Sequence, residues 1–275
     1  MSIITLTSDF GSKDFSVSAV KGSLYDLIKN PTIVDISHEI TPYNILETAF
    51  ILKASYPNFP NESIHLIGID SEYSIEHKHI VAKLNNHYFI AADNGIFSLL
   101  ADENEYDIIV EIQHPKSKES SFPMRDVFVD IAAQIIFNEK LENLGSPINT
   151  INQWVKNIPN IAVDDEIIGH IVYIDNYGNI ITDISKGLFN DSRKDRKFEI
   201  IASSAKINKI YTNYNSFINY NLEVNQRQQA GKALALFNSL DLLEIALYKS
   251  NPNYGGSASS LLGLEVGDSI KIVFE

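Results

Sequence analysis

The sequence contains no cysteine. That absence excludes disulfides, thiolate nucleophiles, zinc ribbons and iron–sulfur clusters. Basic residues are also scarce: 22 Lys and Arg stand against 35 Asp and Glu, a formal charge of −13. Nucleic-acid binding needs clustered cations facing phosphates. The one basic cluster, Arg193-Lys194-Asp195-Arg196-Lys197, is short and interrupted. It reads as a solvated loop, and no nucleic-acid partner is expected. Apolar runs such as Ile64–Ile69 fall far short of the ~20 residues that a membrane helix requires. The first residues show no basic segment followed by a long apolar stretch. A cytoplasmic, soluble protein with no membrane partner is the expectation. A GxGxxG fingerprint and a P-loop are missing too, so nothing supports nucleotide binding led by phosphates.

What is present is ordinary globular composition, 44% hydrophobic and 21% charged over 275 residues, a length that suits two domains. The first half alternates apolar runs with amphipathic segments. Ile3–Thr7, Thr32–Ile36, Ser63–Ile69 and Asp107–Ile112 read as strands, and His79–Leu84 with Tyr88–Ala91 as a strand pair. Phe15–Lys29, Ile45–Tyr56 and Val127–Phe137 read as helices. This order predicts βαβ units and an α/β domain over 1–150 with a mainly parallel sheet. Residues 151–165, with Asn, Pro159 and Asp164-Asp165-Glu166 across their end, read as a linker. Beyond it, Gly169–Ile174, Ile180–Ile184, Phe198–Ala202, Ile207–Tyr211, Lys232–Phe237 and Ser269–Phe274 read as short strands of a smaller, all-β, barrel-like domain over 166–275. The stretch between Asn208 and Asn225 is dense in asparagine and has no periodicity that places it.

Three apolar runs end in an aspartate: Asp9, Asp70 and Asp175. One such aspartate is usually a turn former or helix cap. Three together point to a polar site, because ligands of α/β sheets bind beyond the carboxyl ends of strands. Asp9-Phe10-Gly11 lacks the glycine-rich and His-Arg-Asp loops that would have to precede it in a kinase. Asp9, Asp35, His38 and His77 could be imagined as a metal centre, but no spacing matches a ligand motif. The histidines therefore read as turn and core residues, and no metal site is assigned. Carboxylates and asparagines suit a nucleoside held by its hydroxyls and ring edges.

Read together, these segments resemble the S-adenosylmethionine (SAM) hydrolase and halogenase family, also called SAM hydroxide adenosyltransferases. The shared pattern runs nearly end to end. It includes Thr7-Ser8-Asp9-Phe10-Gly11 with Asp14, Ile33–Pro42, the strand ending at Asp70, and Ala92-Asp93-Asn94-Gly95. Arg125-Asp126-Val127-Phe128, Ile174–Asn179, Asn238-Ser239 with Leu243–Ala246, and Gly256-Ser257-Ala258 complete it. The resemblance implies an α/β domain followed by a β-barrel domain. It also implies a homotrimer whose sites lie between one subunit's N-terminal domain and its neighbour's C-terminal domain.

Carried onto matching positions, Asp9 corresponds to the ribose-binding carboxylate and Asp14 to the residue near the methionine amine. Tyr43 and Phe122 correspond to aromatic walls, and Asp175, Tyr177 and Asn179 to the adenine-binding segment. Ser239, Glu244 and the backbone of Ala246 correspond to further substrate contacts. SAM is then substrate, and no cofactor is implied. Two departures stand out. The family's hydrolases carry Asp-Pro-Gly-Val-Gly-Thr followed by Arg, where this chain has Asp70-Ser71-Glu72-Tyr73-Ser74-Ile75-Glu76-His77. They also carry Phe-His-Gly-Arg-Asp, where this chain has Phe122-Pro123-Met124-Arg125-Asp126. Asp70 is kept, His77 falls at the Arg position, and Pro123 replaces the His. The expected activity is hydrolysis of SAM to adenosine and methionine, with Asp70 and His77 as the catalytic pair. The alternatives are a non-catalytic SAM or adenosine binder, a SAM-dependent halogenase (which Met124, having no hydroxyl, disfavours) and a metal-dependent hydrolase using Asp35 and His38.

Overall fold

The computed structural model describes residues 3–154, 166–227 and 229–275. The chain divides into two compact units, Met1–Lys156 and Asn157–Glu275. Residues 155–165, which hold most of the predicted linker, lie outside the described residues.

In chain order the first unit contains β1 (Ile3–Ser8), α1 (Ser16–Leu27), β2 (Thr32–Ser37), α2 (Ile45–Ser55), β3 (Ile64–Gly68), β4 (His79–Leu84), β5 (His87–Ala92), α3 (Ile96–Leu100), β6 (Ile108–Ile112), α4 (Val129–Ile136) and β7 (Gly145–Pro147). The strands form one sheet in the order β2-β1-β3-β5-β4-β6-β7. A mainly parallel sheet is only partly what forms. The β1–β2, β1–β3 and β3–β5 contacts are parallel, while β4–β5, β4–β6 and β6–β7 are antiparallel. The reason is local. Asn85 and Asn86, both with positive φ, make the two-residue turn that folds β4 onto β5 as a hairpin. β4 thus runs against β5 and β6, its two neighbours, and every contact it makes is antiparallel.

Two apolar clusters hold the unit. One gathers Ile4, Leu6, Leu66 and Val110 with Val20 and Leu24 of α1 and Ile131 and Ala132 of α4. The other gathers Ile67, Ile80, Ala82 and Phe89 with Ala49 and Leu52 of α2 and Ile96 and Phe97 of α3. The sheet is therefore packed on both faces, which accounts for the unbroken burial of β3. Within it Thr5, His65 and His87 form a buried chain: Thr5 Oγ1 to His65 Nδ1 at 2.7 Å, and His65 Nε2 to His87 Nδ1 at 3.1 Å.

The second unit contains β8 (Glu166–Ile174), β9 (Ile180–Ser185), α5 (Lys186–Arg193), β10 (Phe198–Ala202), β11 (Ala205–Ile207), β12 (Ile210–Tyr211), β13 (Ala233–Phe237), β14 (Leu242–Leu247), α6 (Ala258–Leu262) and β15 (Ser269–Phe274). Its sheet, β11-β10-β15-β8-β9-β14-β13-β12, is antiparallel except for the β12–β13 pair. β11 also approaches β13, so the sheet curls into a nearly closed barrel around Ile171, Ile180, Ile245, Ile270 and Ile272. The predicted strand Ile207–Tyr211 is split between β11 and β12. The basic cluster also differs from a plain solvated loop. Arg193 closes α5 and Arg196 follows it, their guanidinium groups 5.0 Å from the Phe198 and Phe274 rings respectively.

Candidate active site

The carboxyl ends of β1, β2 and β3 lie side by side, since Thr7 is in register with Ser37 and Ile67. This brings Asp9 and Asp70, one and two residues beyond their strands, to one edge of the first unit. Asp9 Oδ2 accepts a hydrogen bond from the Tyr43 backbone N–H at 2.9 Å. Tyr43 has a φ of +63° and exposes its ring. Asp70 has a φ of +39°, a left-handed conformation that aspartate tolerates better than most residues. Asn94 Nδ2 holds this bend by donating to the carbonyls of Ile69 and Asp70 at 2.9 and 3.2 Å.

His77 Nδ1 lies 3.9 Å from Asp70 Oδ2, too long for a direct hydrogen bond. The loop carrying His77 is fixed by its backbone N–H on Ser74 Oγ at 2.8 Å and by Asn152 Nδ2 on the Glu76 carbonyl at 2.6 Å. Asn152 also donates its backbone N–H to both oxygens of the buried Asp93, at 3.1 and 3.0 Å. Burial raises the Asp93 pKa, and the Asn152 hydrogen bond and nearby His77 counter part of that rise. Under β3, a Cβ on Gly68 would stand 2.4 Å from Met124 Sδ and 3.0 Å from Phe10 Cζ. Glycine is what lets that wall close up. Phe10 meets Phe122 edge to face at 5.5 Å.

Pro123, where the resembling hydrolases have histidine, opens the helical turn Met124–Phe128. Proline suits a first helical position because no carbonyl there needs its missing N–H. Arg125 and Asp126 pair with each other, Nε to Oδ1 at 2.7 Å and Nη2 to Oδ2 at 3.0 Å. They also line a polar cleft of about 460 Å³ with Gly22, Ser23, His114, Lys116 and Asp130, which Asp9, Asp70 and His77 do not line. Asp14 is fully exposed and accepts from Ser16 N at 2.8 Å at the start of α1, which lowers its pKa. Asp35 is taken up by Lys21 at 2.6 Å and His38 Nε2 at 3.2 Å. Among the described residues no group of three or more His, Asp or Glu is arranged to hold a metal ion.

In the second unit the Asp175–Asn179 turn is wound around one carboxylate. Asp175 Oδ1 accepts from the Tyr177 and Asn179 N–H groups, each at 2.9 Å, and Oδ2 accepts from Asn179 Nδ2 at 3.0 Å. Gly178, at φ +72°, seats against Ser257, and a Cβ there would lie 2.2 Å from that side chain. Tyr177 projects outward and is exposed. Across the barrel wall, Ile245 pairs with Ile180, which leaves Ala246 facing Asn179 beyond the last ladder pair. Glu244 is buried on the same strand, its carboxylate accepting from the Tyr214 hydroxyl. Burial raises the Glu244 pKa, and the charge of Asp175 adds to the rise. Ser239 lies exposed on the β13–β14 turn.

The structure thus joins Asp9 to Tyr43, sets Asp70 opposite His77, and links Asp175, Asn179 and Glu244 through Tyr214. No hydrogen bond among the described residues joins Asp14 or Ser239 to these groups. Tyr214, Asp93, Asn94 and Asn152 carry geometry that the sequence reading gave no role. Asp93-Asn94-Gly95 was visible as a shared motif, but Tyr214 sits in the stretch that periodicity could not place.

Comparison with known proteins agrees with this architecture. Residues 4–145 match the SAM hydroxide adenosyltransferase N-terminal domain and residues 169–271 the corresponding C-terminal domain. A protein of Methanocaldococcus jannaschii named (R)-S-adenosyl-L-methionine hydrolase is 31% identical, covering 100% of this chain and 97% of its own length. A protein of the same name from Thermus thermophilus is 25% identical, covering 97% of each chain. A crystal structure of an uncharacterised conserved protein from Thermotoga maritima superposes with a TM-score of 0.82 at 25% identity, covering 98% of this chain and 100% of that one. With both domain matches in order along nearly its whole length, the chain belongs to the SAM hydroxide adenosyltransferase family.

Proposed function

We propose that this protein hydrolyses SAM to adenosine and methionine. Water attacks the ribose C5′, the C5′–sulfur bond breaks, methionine leaves as a neutral thioether, and the water's second proton is released. SAM and water balance the reaction, so it calls for no cofactor. The observation that carries the reading is the 3.9 Å opening between His77 Nδ1 and Asp70 Oδ2. It is too wide for a direct bond and suits one water hydrogen-bonded to both groups. Asp70 takes a proton of that water into a hydrogen bond and fixes its lone pair in line with C5′. His77 completes the pair in place of the family's Arg and His.

Asp9 holds the ribose hydroxyls, Tyr43 and Phe122 flank the sulfonium, and Asp14 pairs with the methionine ammonium. Asp175, Tyr177 and Asn179 form the adenine segment, with Ser239, Glu244 and the Ala246 backbone as further contacts. Carboxylates and aromatic faces favour a sulfonium cation. The names of the relatives point to the (R) epimer at sulfur as the substrate. A homotrimer in the cytoplasm is the assembly and place the family resemblance implies, and light scattering of the purified protein tests the assembly.

The direct test incubates the protein with the separated (R) and (S) epimers of SAM and resolves the products by liquid chromatography. Adenosine and methionine appearing together, faster from the (R) epimer, are expected. Unchanged SAM with tight adenosine binding would overturn hydrolysis in favour of a binding protein.

A further inference from the structure

The asparagine-dense stretch sends one side chain into the second unit's polar cluster. Asn213 caps the short helical turn Tyr214–Phe217, its Oδ1 accepting from Ser216 N at 2.9 Å. Phe217 packs edge to face on Tyr211 at 5.1 Å and beside Tyr248 at 5.7 Å. These contacts cover the small apolar cluster of Leu234, Leu236, Ala246 and Tyr248 and hold Tyr214 in place. Its hydroxyl donates to Glu244 Oε1 and lies 3.3 Å from Asn179 Nδ2.

The direction of this relay follows from what each group can do. A phenol has one proton, and here it goes to Glu244. Toward Asn179 the hydroxyl can then only accept. The Asp175 carboxylate, also next to Asn179 Nδ2, is likewise an acceptor. Both neighbours therefore require the NH2 end of the Asn179 carboxamide. Its carbonyl Oδ1, used by no hydrogen bond among the described residues, is left as the unpaired acceptor of this largely buried residue. A free acceptor suits an exocyclic N–H and repels a carbonyl oxygen.

We propose that Tyr214 is a positioning residue that makes this site select a 6-amino purine over a 6-oxo purine, by locking the Asn179 carboxamide with its oxygen left unpaired. The proposal rests on the adenine-binding reading of Asn179 and goes beyond it in assigning base selectivity to the asparagine-dense stretch.

The test titrates the full-length protein calorimetrically with adenosine and with inosine, and compares cleavage of SAM with that of its deaminated analogue, S-inosylmethionine. The wild-type protein is expected to prefer the amino base by about 100-fold or more, because a mismatched carbonyl leaves buried polar groups unpaired. Tyr214→Phe keeps the ring and removes the hydroxyl, so the preference should fall about tenfold. Adding Asp175→Asn, which gives residue 175 a donor of its own, should lower it further. A Tyr214→Phe preference equal to wild type would overturn the proposal, as would an equal loss of both nucleosides, the mark of a merely structural role. Strong adenosine preference without turnover of SAM would overturn hydrolysis and leave the base lock standing. Failure of the wild-type protein both to bind either nucleoside and to cleave SAM would overturn both.

Discussion

The two polar clusters are built on opposite plans. At the strand ends of the first unit the groups are left open: Asp70 and His77 face each other without a direct bond, and among the described residues Asp9 has a single backbone donor. In the barrel unit the groups are engaged with one another, with Asp175, Asn179, Tyr214 and Glu244 joined through consecutive hydrogen bonds. An open carboxylate can accept a proton or orient a water. A closed network cannot do so without breaking itself, but it fixes which face of each group a ligand meets. The first arrangement suits chemistry and the second suits recognition.

The largest expected effect breaks the comparison on the chemical side. Asp70→Ala should lower kcat for SAM hydrolysis by about 10³-fold, within the range for loss of a group positioning a reacting water. Adenosine affinity should stay within about threefold, read by calorimetry. On the recognition side, Glu244→Ala takes away the acceptor of the Tyr214 hydroxyl and lets it turn its proton toward Asn179. It should weaken adenosine binding by roughly 10- to 100-fold while changing kcat little. A Glu244→Ala variant that bound normally and turned over slowly would reverse the assignment.

A smaller effect separates the two units by acid stability. Burial, together with the nearby His87, holds the His65 pKa down at about 3, and burial also lowers those of His79 and His87. A histidine kept neutral in the fold contributes stability that is present above its unfolded pKa and is lost as pH falls through the window toward the folded value. Below about pH 6.5 the unfolded chain takes the proton and the folded chain does not, so His65 alone should cost about 2 kcal/mol of stability by pH 5. In the barrel unit burial raises the pKa values of Asp183 and Glu244. A carboxyl with a raised folded pKa favours the fold at low pH and loses that contribution as pH rises. Asp93 works in this second sense within the first unit and offsets part of its loss. Hydrogen exchange at pH 7 and pH 5 should therefore show amides of β1, β3 and β5 losing protection on acidification before those of β9 and β14. The opposite order would show that the histidine network is not the weak point.

Much of this was legible in the sequence where one physical rule dominates. Mainly apolar runs ending in Asp9 and Asp70 marked buried strands and their exposed ends, and both aspartates stand where that pattern puts them. The sheet's antiparallel half was not legible. The His79–Leu84 and Tyr88–Ala91 pair was visible, but its insertion between β3 and β6 depends on long-range packing. β14 was read only as a shared motif, because Leu-Leu-Glu-Ile-Ala-Leu interrupts its apolar run with Glu244, whose burial makes sense only with Tyr214 beside it. α5 escaped because Lys-Gly-Leu-Phe-Asn-Asp-Ser-Arg is poor in helix formers. Its start is set instead by Ser185 Oγ accepting from Leu188 N at 3.1 Å.

One small clasp bears on how the protein can be divided. Asn152 supplies both backbone hydrogen bonds to the buried Asp93 and steadies the His77 loop. Two residues on, the Trp154 N–H closes on Ser98 Oγ at 2.8 Å, with its ring against Gly95. The first unit's last stitches are thus sewn by residues that follow its final strand. A fragment severed at Thr150 strips a desolvated carboxylate of the Asn152 N–H that both its oxygens share and unfastens the His77 loop from behind, whereas one carried through Trp154 keeps these contacts.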